Sequence, residues 1–413
     1  MGCSTSSTAV EEEGDTYPST PVRRVAKTFT GLPGDSVQVE NAAPKPSETV
    51  PQAYRRLDEE ICVLESSCPG PRLLTAEAWI EHLNAVFEKA GATNELYERD
   101  NRLVIDVRLD DVPNGAYGSS KPETAEVAFD RSRDDTAKVR RIALKLGIAL
   151  DPVKAARQEE FIARITRSAM TLEAQSFRAD MVEHSRARVA NLRQSFTRLQ
   201  TLYLELDHLV ASANNGSYSS VLEQRLDEEL DSAREIRDRL GGVSEQWRTA
   251  GLLMRASLKG LLQAVEYWNL VEQSSTAAER ISLVLDCRTA CHGALIALEA
   301  AQAALPQVEI PFVTLRQQSA VKHGLIYMLT DMVNPARFRH TKHVLEGFQA
   351  NVEKSVEWIY STYNNTLKKD LNDADQEVIS IAKQLREIRQ QYINQRMGSK
   401  TYVRPALGKP DKR

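Results

Sequence analysis

From Pro152 to Met397 the chain repeats one pattern, an apolar residue at alternating steps of four and three. Over residues 185–210 the steps are strict, and they read Ser185, Val189, Leu192, Phe196, Leu199, Tyr203, Leu206 and Val210. Such spacing keeps one stripe of an α-helix apolar, as on the a/d seam of a coiled coil. Ile162, Ile165, Ala169 and Leu172 follow the same rule upstream. Between the two runs the steps 179–182–185 delete one residue, a stammer that overwinds the seam locally. The pattern predicts a helix over about 152–212, stopped at Asn214-Asn215-Gly216.

A second long helix is expected from about Ser219, where Ser220 and Glu223 have capping-box spacing. Its seam passes through Leu222, Leu226, Ala233, Ile236, Leu240, Val243 and Trp247, then Met254, Leu258, Leu261, Val265 and Trp268. Gly241-Gly242 marks the place to expect a kink. A third helix, about Thr276 to Ala304, carries Ala290, Ala294, Ala297 and Ala301, which permit close approach of a neighbouring backbone. Pro306 and Pro311 bound an extended link. A shorter helix follows over about 315–333. Pro335 opens the last one, whose seam runs from Leu345 to Tyr392 without a visible stop. Sixty helical residues span about 90 Å, so the expected fold is mainly α: an elongated antiparallel long-helix, coiled-coil-like bundle over 150–397.

The chain before Pro152 reads differently. Ala78, Ile80, Leu83, Val86 and Phe87 have helical spacing. Leu103, Ile105, Val107 and Leu109 alternate with Val104, Asp106 and Arg108, which argues for a strand. Ala125, Val127 and Phe129 alternate again, making Thr124–Phe129 a candidate partner strand before a helix at about 134–146. These elements predict a small α+β segment, α-β-β-α, over 72–149. The competing reading makes 122–146 one continuous helix. Residues 1–71, rich in Ser, Thr, Pro, Glu and Gly, are expected to form a disordered tether, because such composition buries too little apolar surface to offset its ordering entropy. Residues 398–413 read as a basic tail.

Composition narrows the function. The 413 residues carry 53 Lys and Arg against 57 Asp and Glu, a balance that lacks the basic surplus of a nucleic-acid-binding domain. The most apolar stretch, Ile281 to Leu305, contains Asp286, Arg288, His292 and Glu299 and so reads as a packed helix rather than a membrane span. Residues 1–30 lack the apolar core of a secretory signal, so the five cysteines are expected as thiols or lipid carriers in a reducing compartment.

The first residues, Met1-Gly2-Cys3-Ser4-Thr5-Ser6, fit the acylation pattern in which Gly2 becomes the acceptor for myristate. One myristoyl chain binds a membrane only marginally, and stable anchoring needs a second signal. Glu11, Glu12 and Glu13 exclude a local polybasic one, which leaves Cys3 as the site of a second acyl chain, palmitate. Thr20-Pro21-Val22-Arg23 has the form of a proline-directed phosphorylation site at Thr20. Phosphate there would add negative charge near the membrane surface.

Catalytic patterns are missing from the sequence: it has no phosphate-binding loop, no dinucleotide fingerprint, no nucleophile elbow and no H-E-x-x-H. Cys287 and Cys291 share a helix face, but His292 points away, and no second ligand pair completes a zinc site. His340 and His343 lie beside Arg337, Arg339 and Lys342 as in a solvated basic helix start. Asp370, Asp373, Asp375 and Glu377 lack the glycine and terminal glutamate of a calcium loop. No metal or cofactor is expected.

Two Arg- and Lys-rich runs stand out. One holds Arg157, Arg164, Arg167, Arg178, Arg186, Arg188, Arg193 and Arg198, and the other runs from Lys368 to Arg413. Long helices bearing basic residues over about 152–397 resemble the general plan of BAR domains, which dimerise into a curved, membrane-shaping bundle. The resemblance is architectural, without a shared motif, and the helices at 276–333 depart from that plan. Three readings follow. The first is a lipid-anchored, non-enzymatic scaffold or adaptor on the cytoplasmic face of a membrane, binding other proteins through helix faces. The second is a BAR-like homodimer. The third is an enzyme with an unrecognised site in 72–149.

Overall fold

The computed structural model describes residues 48–86, 88, 89, 125–214 and 218–403. Helix accounts for 88% of the described residues, and none of them lies in a strand. The helices are α1 (Val50–Glu65), α2 (69–86), α3 (Ala125–Leu146), α4 (Pro152–Asn214), α5 (Val221–Gln273), α6 (Ala277–Ala304), α7 (Leu315–Asp331), α8 (Pro335–Asn365) and α9 (Leu367–Met397). The described chain divides into two compact units. Unit 1 takes residues up to Ser67, Thr197–Arg239 and the chain from Asp373; unit 2 takes Cys68–Phe196 and Leu240–Asn372.

Three expectations are corrected. The tether expected to reach residue 71 gives way to folded chain well before that. α1 buries Val50, Tyr54, Leu57 and Ile61, which step by four, three and four, against Leu199, Leu202, Leu206 and Leu209 of α4. Its backbone is tied down as well: Val50 N–H donates to Lys400 O and Tyr402 N–H to Glu48 O. Second, the candidate strand Thr124–Phe129 does not form, because Ala125–Phe129 opens α3. From Ala125 to Leu146 there is no glycine or proline to stop a helix, and extension from the packed turns at Val139 and Ala143 adds one hydrogen bond per residue ordered. The other candidate strand, Leu103–Leu109, lies outside the described residues, so the small α+β segment has no strand to support it. Third, the last long helix is two helices, broken at Thr366 (φ −118, ψ −85) after the weak helix formers Asn364 and Asn365.

Nor does the segment 72–149 build a core of its own. Leu73 and Ala76 of α2 pack on Val189 and Leu192 of α4. Val139 and Ala143 of α3 join the main core of unit 2, with Trp268, Ile281, Leu285, Leu325, Leu345 and Val352. Trp268 sits at its centre, stacked on Phe338 at 4.8 Å and donating Nε1–H to Phe338 O at 3.2 Å. The alanine face of α6 meets α5 as expected: a Cβ on Gly260 would come within 2.9 Å of Ala290 O and 3.1 Å of Ala294 Cβ.

Helix α5 runs through Gly241-Gly242 without interruption. Gly241 serves contact, since a Cβ there would lie 2.6 Å from Cys68 Cβ. The buried face of α5 is also not the predicted one throughout. Leu222, Ile236 and Val243 are exposed, while Arg237, Ser244 and Glu245 are buried.

Candidate functional site

Unit 2 contains a groove of about 380 Å³ between α7 and α8, with one wall residue from α4. Both helices are capped at their starts. Thr314 and Gln317 make a reciprocal capping box at the start of α7, and Asn334 Oδ1 accepts from Ala336 and Arg337 N–H at the start of α8. The tight turn between the helices places Asp331, Arg337 and Thr341 together. Thr341 donates to Asp331 Oδ2 at 2.8 Å, Arg337 Nε lies 2.7 Å from Asp331 Oδ1, and Arg337 Nη2 donates to Glu159 at 2.6 Å.

Burial pushes the Asp331 carboxyl above its ordinary value, and the bonds from Thr341 and Arg337 only partly offset that. The Arg337 guanidinium is pushed up by its bond to Glu159. Val321, Leu325, Met328 and Leu345 supply apolar wall, and His323 and His340 stand at the polar side. Thr341 braces the turn through Asp331, and Arg337 ties the turn to Glu159 of α4. What the groove offers is therefore shape and apolar surface, while Asp331, Arg337 and Thr341 brace the fold.

A second polar cluster is fully inside unit 2. Glu173 of α4 accepts from Arg288 and from Thr289 and Thr136 (3.2 Å each), with His292 Nδ1 at 3.5 Å. Burial raises the Glu173 carboxyl, but the Arg288 charge and the His292 contact overcome it and hold it below its ordinary value. Arg288 lies on α6, a helix long and apolar enough to cross a membrane by length and composition alone. Here that helix is packed in the protein, with Ile281, Val284, Leu285 and Leu295 in the core.

Cys287 and Cys291 are buried free thiols. Burial pushes Cys291 up to about 12 and Cys287 well above its usual value, which suits small apolar packing groups. Among the described residues no group of three or more His, Cys, Asp or Glu is placed to hold a metal ion. His340 borders the groove and His343 is exposed on α8.

Many residues of the two basic runs are tied to acids. Arg167 pairs with Glu160, Arg186 with Glu183, Arg188 with Glu245, Arg193 with Glu77 and Arg198 with Glu60. In unit 1, Arg389 of α9 reaches Glu223 (2.8 Å) and Asp227 (2.9 Å) of α5, and Arg386 pairs with Asp58 of α1. Glu65, buried at the end of α1, faces Arg234 at 2.9 Å and Arg237 at 3.6 Å. Apart from Arg167–Glu160 and Arg186–Glu183, which lie within α4, these pairs join helices far apart in sequence, and sequence reading missed them because each partner looks like ordinary surface charge.

The predicted modification residues Gly2, Cys3 and Thr20 lie outside the described residues. Comparison of the chain with protein-family models, with curated proteins and with solved structures finds no match. The functional reading therefore rests on the residues themselves.

The structure adds one residue that periodicity could not single out. Phe312, between Pro311 and Val313, has φ +70 and is half exposed. That backbone region costs a non-glycine residue about 1–2 kcal/mol.

Proposed function

We propose that this protein is a lipid-anchored, non-enzymatic helical scaffold on the cytoplasmic face of a membrane, binding other proteins through the outer faces of its helices. The observation that carries the reading is Met1-Gly2-Cys3-Ser4-Thr5-Ser6. Gly2 takes myristate, Cys3 takes palmitate, and the pair provides the two signals that stable anchoring needs. In this reading the long helices pack antiparallel in coiled-coil fashion, and Thr20 is the place where phosphate weakens attachment. A second copy of the chain is one candidate partner.

The BAR-like alternative has less behind it. Its basic face would need the arginines of α4, and Arg167, Arg186, Arg188, Arg193 and Arg198 are each paired to a carboxylate.

The test is metabolic labelling with alkyne-tagged myristate, together with membrane fractionation of wild type, Gly2→Ala and Cys3→Ser. Loss of label and of membrane fraction in Gly2→Ala, with label kept but membrane fraction reduced in Cys3→Ser, is the expected result. Unlabelled wild type in the soluble fraction would overturn the reading.

A further inference from the structure

The turn between α6 and α7 holds two apolar side chains out of the fold on a braced support. Gln302 Nε2 donates to Leu305 O (3.2 Å) and to Val308 O (2.7 Å), and its Oε1 accepts from Ile310 N–H (3.2 Å). Ser355 Oγ of α8 donates to Pro311 O at 2.6 Å. Ile310 is buried beneath these anchors. Just beyond them Phe312 is 52% exposed in the left-handed region, and Leu315, first residue of α7, is 78% exposed. A bulky residue at positive φ is a genuine outlier, and such strain persists only where the surroundings impose it. Here the Gln302 and Ser355 bonds impose it, so the two side chains are held ready rather than left loose.

In sequence, cations outnumber carboxylates over the same part of the chain. From Ile310 to Leu345 there are five cations, Arg316, Lys322, Arg337, Arg339 and Lys342, and one carboxylate, Asp331. That carboxylate is already held by Arg337 and Thr341. The whole chain has more acids than bases, so this acid-poor stretch runs against its composition. Glu309 and Glu346 mark its two ends. Lys322 pairs with Glu299, Arg337 with Asp331 and Glu159, and Lys342 with Glu346, whereas Arg316 and Arg339, exposed on α7 and α8, are in no ion pair with a described residue.

We propose that the α6–α7 turn and the adjoining α7–α8 hairpin form a second membrane contact, in which Phe312 and Leu315 enter the interface of an anionic lipid surface and Arg316 and Arg339 meet the headgroups. The proposal rests on the membrane reading above, and its test removes the acyl chains. Exposed apolar side chains together with exposed arginines in no ion pair suit an anionic leaflet, where apolar insertion and headgroup attraction add. The attraction is screened by salt.

The experiment uses the full chain carrying Gly2→Ala and Cys3→Ser, so that no acyl chain contributes, in co-sedimentation with phosphatidylcholine vesicles with and without phosphatidylserine. The parent should bind the phosphatidylserine vesicles and release as salt rises. Adding Phe312→Ser and Leu315→Ser should lower partitioning about tenfold or more on both vesicle types. Adding Arg316→Glu and Arg339→Glu should weaken binding only where phosphatidylserine is present. All four positions are exposed, so thermal melts should match the parent and separate lost binding from lost folding. Failure of the parent to bind, or partitioning unchanged by the Phe312 and Leu315 changes, would overturn the proposal and leave a protein partner as the occupant of this face. Vesicle binding by this parent alongside a wild type that takes no myristate would sink the anchor and keep this contact.

Discussion

Arg188 of α4 and Glu245 of α5 form a two-pronged ion pair, Nε to Oε1 and Nη2 to Oε2, both at 2.9 Å. Glu245 is 1% exposed and also accepts from Arg248 at 2.6 Å, so a fully desolvated carboxylate is shared by two guanidinium groups. Parallel N–H···O bonds of this kind fix orientation as well as attraction. Removing Arg188 leaves the carboxylate buried with one partner. Arg188→Ala should therefore cost about 2 kcal/mol, the range of a hydrogen bond to a charged group. Glu245→Gln should cost less than Arg188→Ala, because the buried charge leaves with its attraction. Urea denaturation midpoints of the two variants check the order.

The same carboxylate sets an acid dependence. Burial raises Glu245, but the bonds from Arg188 and Arg248 overcome it. Glu223 is likewise raised by burial and brought down by Ser219 and Arg389, and Glu173 by Arg288 and His292. All three end below their ordinary values. The folded state then binds fewer protons than the unfolded chain, so their stabilisation is complete above the free glutamate pKa of about 4.3. It is lost as pH falls below that value through the depressed ones. Asp58, Asp238 and Asp331, each raised by burial, act in the opposite sense and gain as pH falls through their raised values. Stability measured from pH 7 to pH 3 should show a loss below pH about 4.3 that is shallower in Glu245→Gln than in wild type.

Periodicity revealed most of the helices and hid most of what joins them. The seam of α4 was legible because Val189, Leu192, Leu199 and Leu206 are apolar at heptad spacing, and all four are buried. On α5 the same logic favoured Ile236 and Val243, whereas the buried positions include Arg237 and Glu245. An arginine facing the core is indistinguishable by pattern from a solvated one until its acid is known, and Glu65 lies on another helix. Gly2 and Cys3 are proposed from local order alone, since acylation reads a linear motif, and they lie outside the described residues.

Helix α1 shows a signal that composition masked. Val50, Tyr54, Leu57 and Ile61 have heptad spacing at the edge of a Ser- and Pro-rich stretch, and the neighbouring composition hid it. Leu57 is completely buried in the core of unit 1. Leu57→Ala should destabilise by about 2–5 kcal/mol, the range for truncating a buried leucine. Hydrogen exchange should show faster protection loss in α1 and in Thr197–Arg239, which belong to that unit. An unchanged melting temperature would mean that α1 is not part of the cooperative core.

Two helical glycines should respond in opposite directions to the same substitution. A Cβ on Gly241 would lie 2.6 Å from Cys68 Cβ, and Cys68 is itself held at φ +47, leaving little room to yield. Gly241→Ala should cost about 1–3 kcal/mol as an overpacked contact. At Gly324, beside the α7–α8 groove, a Cβ meets nothing within 4 Å. Gly324→Ala should gain close to the helix-propensity difference of about 1 kcal/mol. Paired thermal melts test both signs in one experiment.

The thiols of α6 should be silent until the protein unfolds. Cys287 and Cys291 are both 0% exposed, and burial holds both thiols well above the usual thiol range, Cys291 at about 12. Nucleophilic attack needs the thiolate and an open path, and both are denied here. Cys62 differs, being half-buried and accepting from Arg386 Nη2 at 3.3 Å. Burial, with Asp58 and Glu65, still pushes it up to about 11. With Cys3 replaced by Ser, maleimide labelling at neutral pH should therefore mark Cys62 slowly and the buried Cys68, Cys287 and Cys291 not at all. In urea all four should react at ordinary rates, and the concentration at which the α6 thiols appear should coincide with loss of helical signal. Labelling of Cys287 or Cys291 well before that point would show that α6 opens independently of the core that Trp268 and Ile281 share with it.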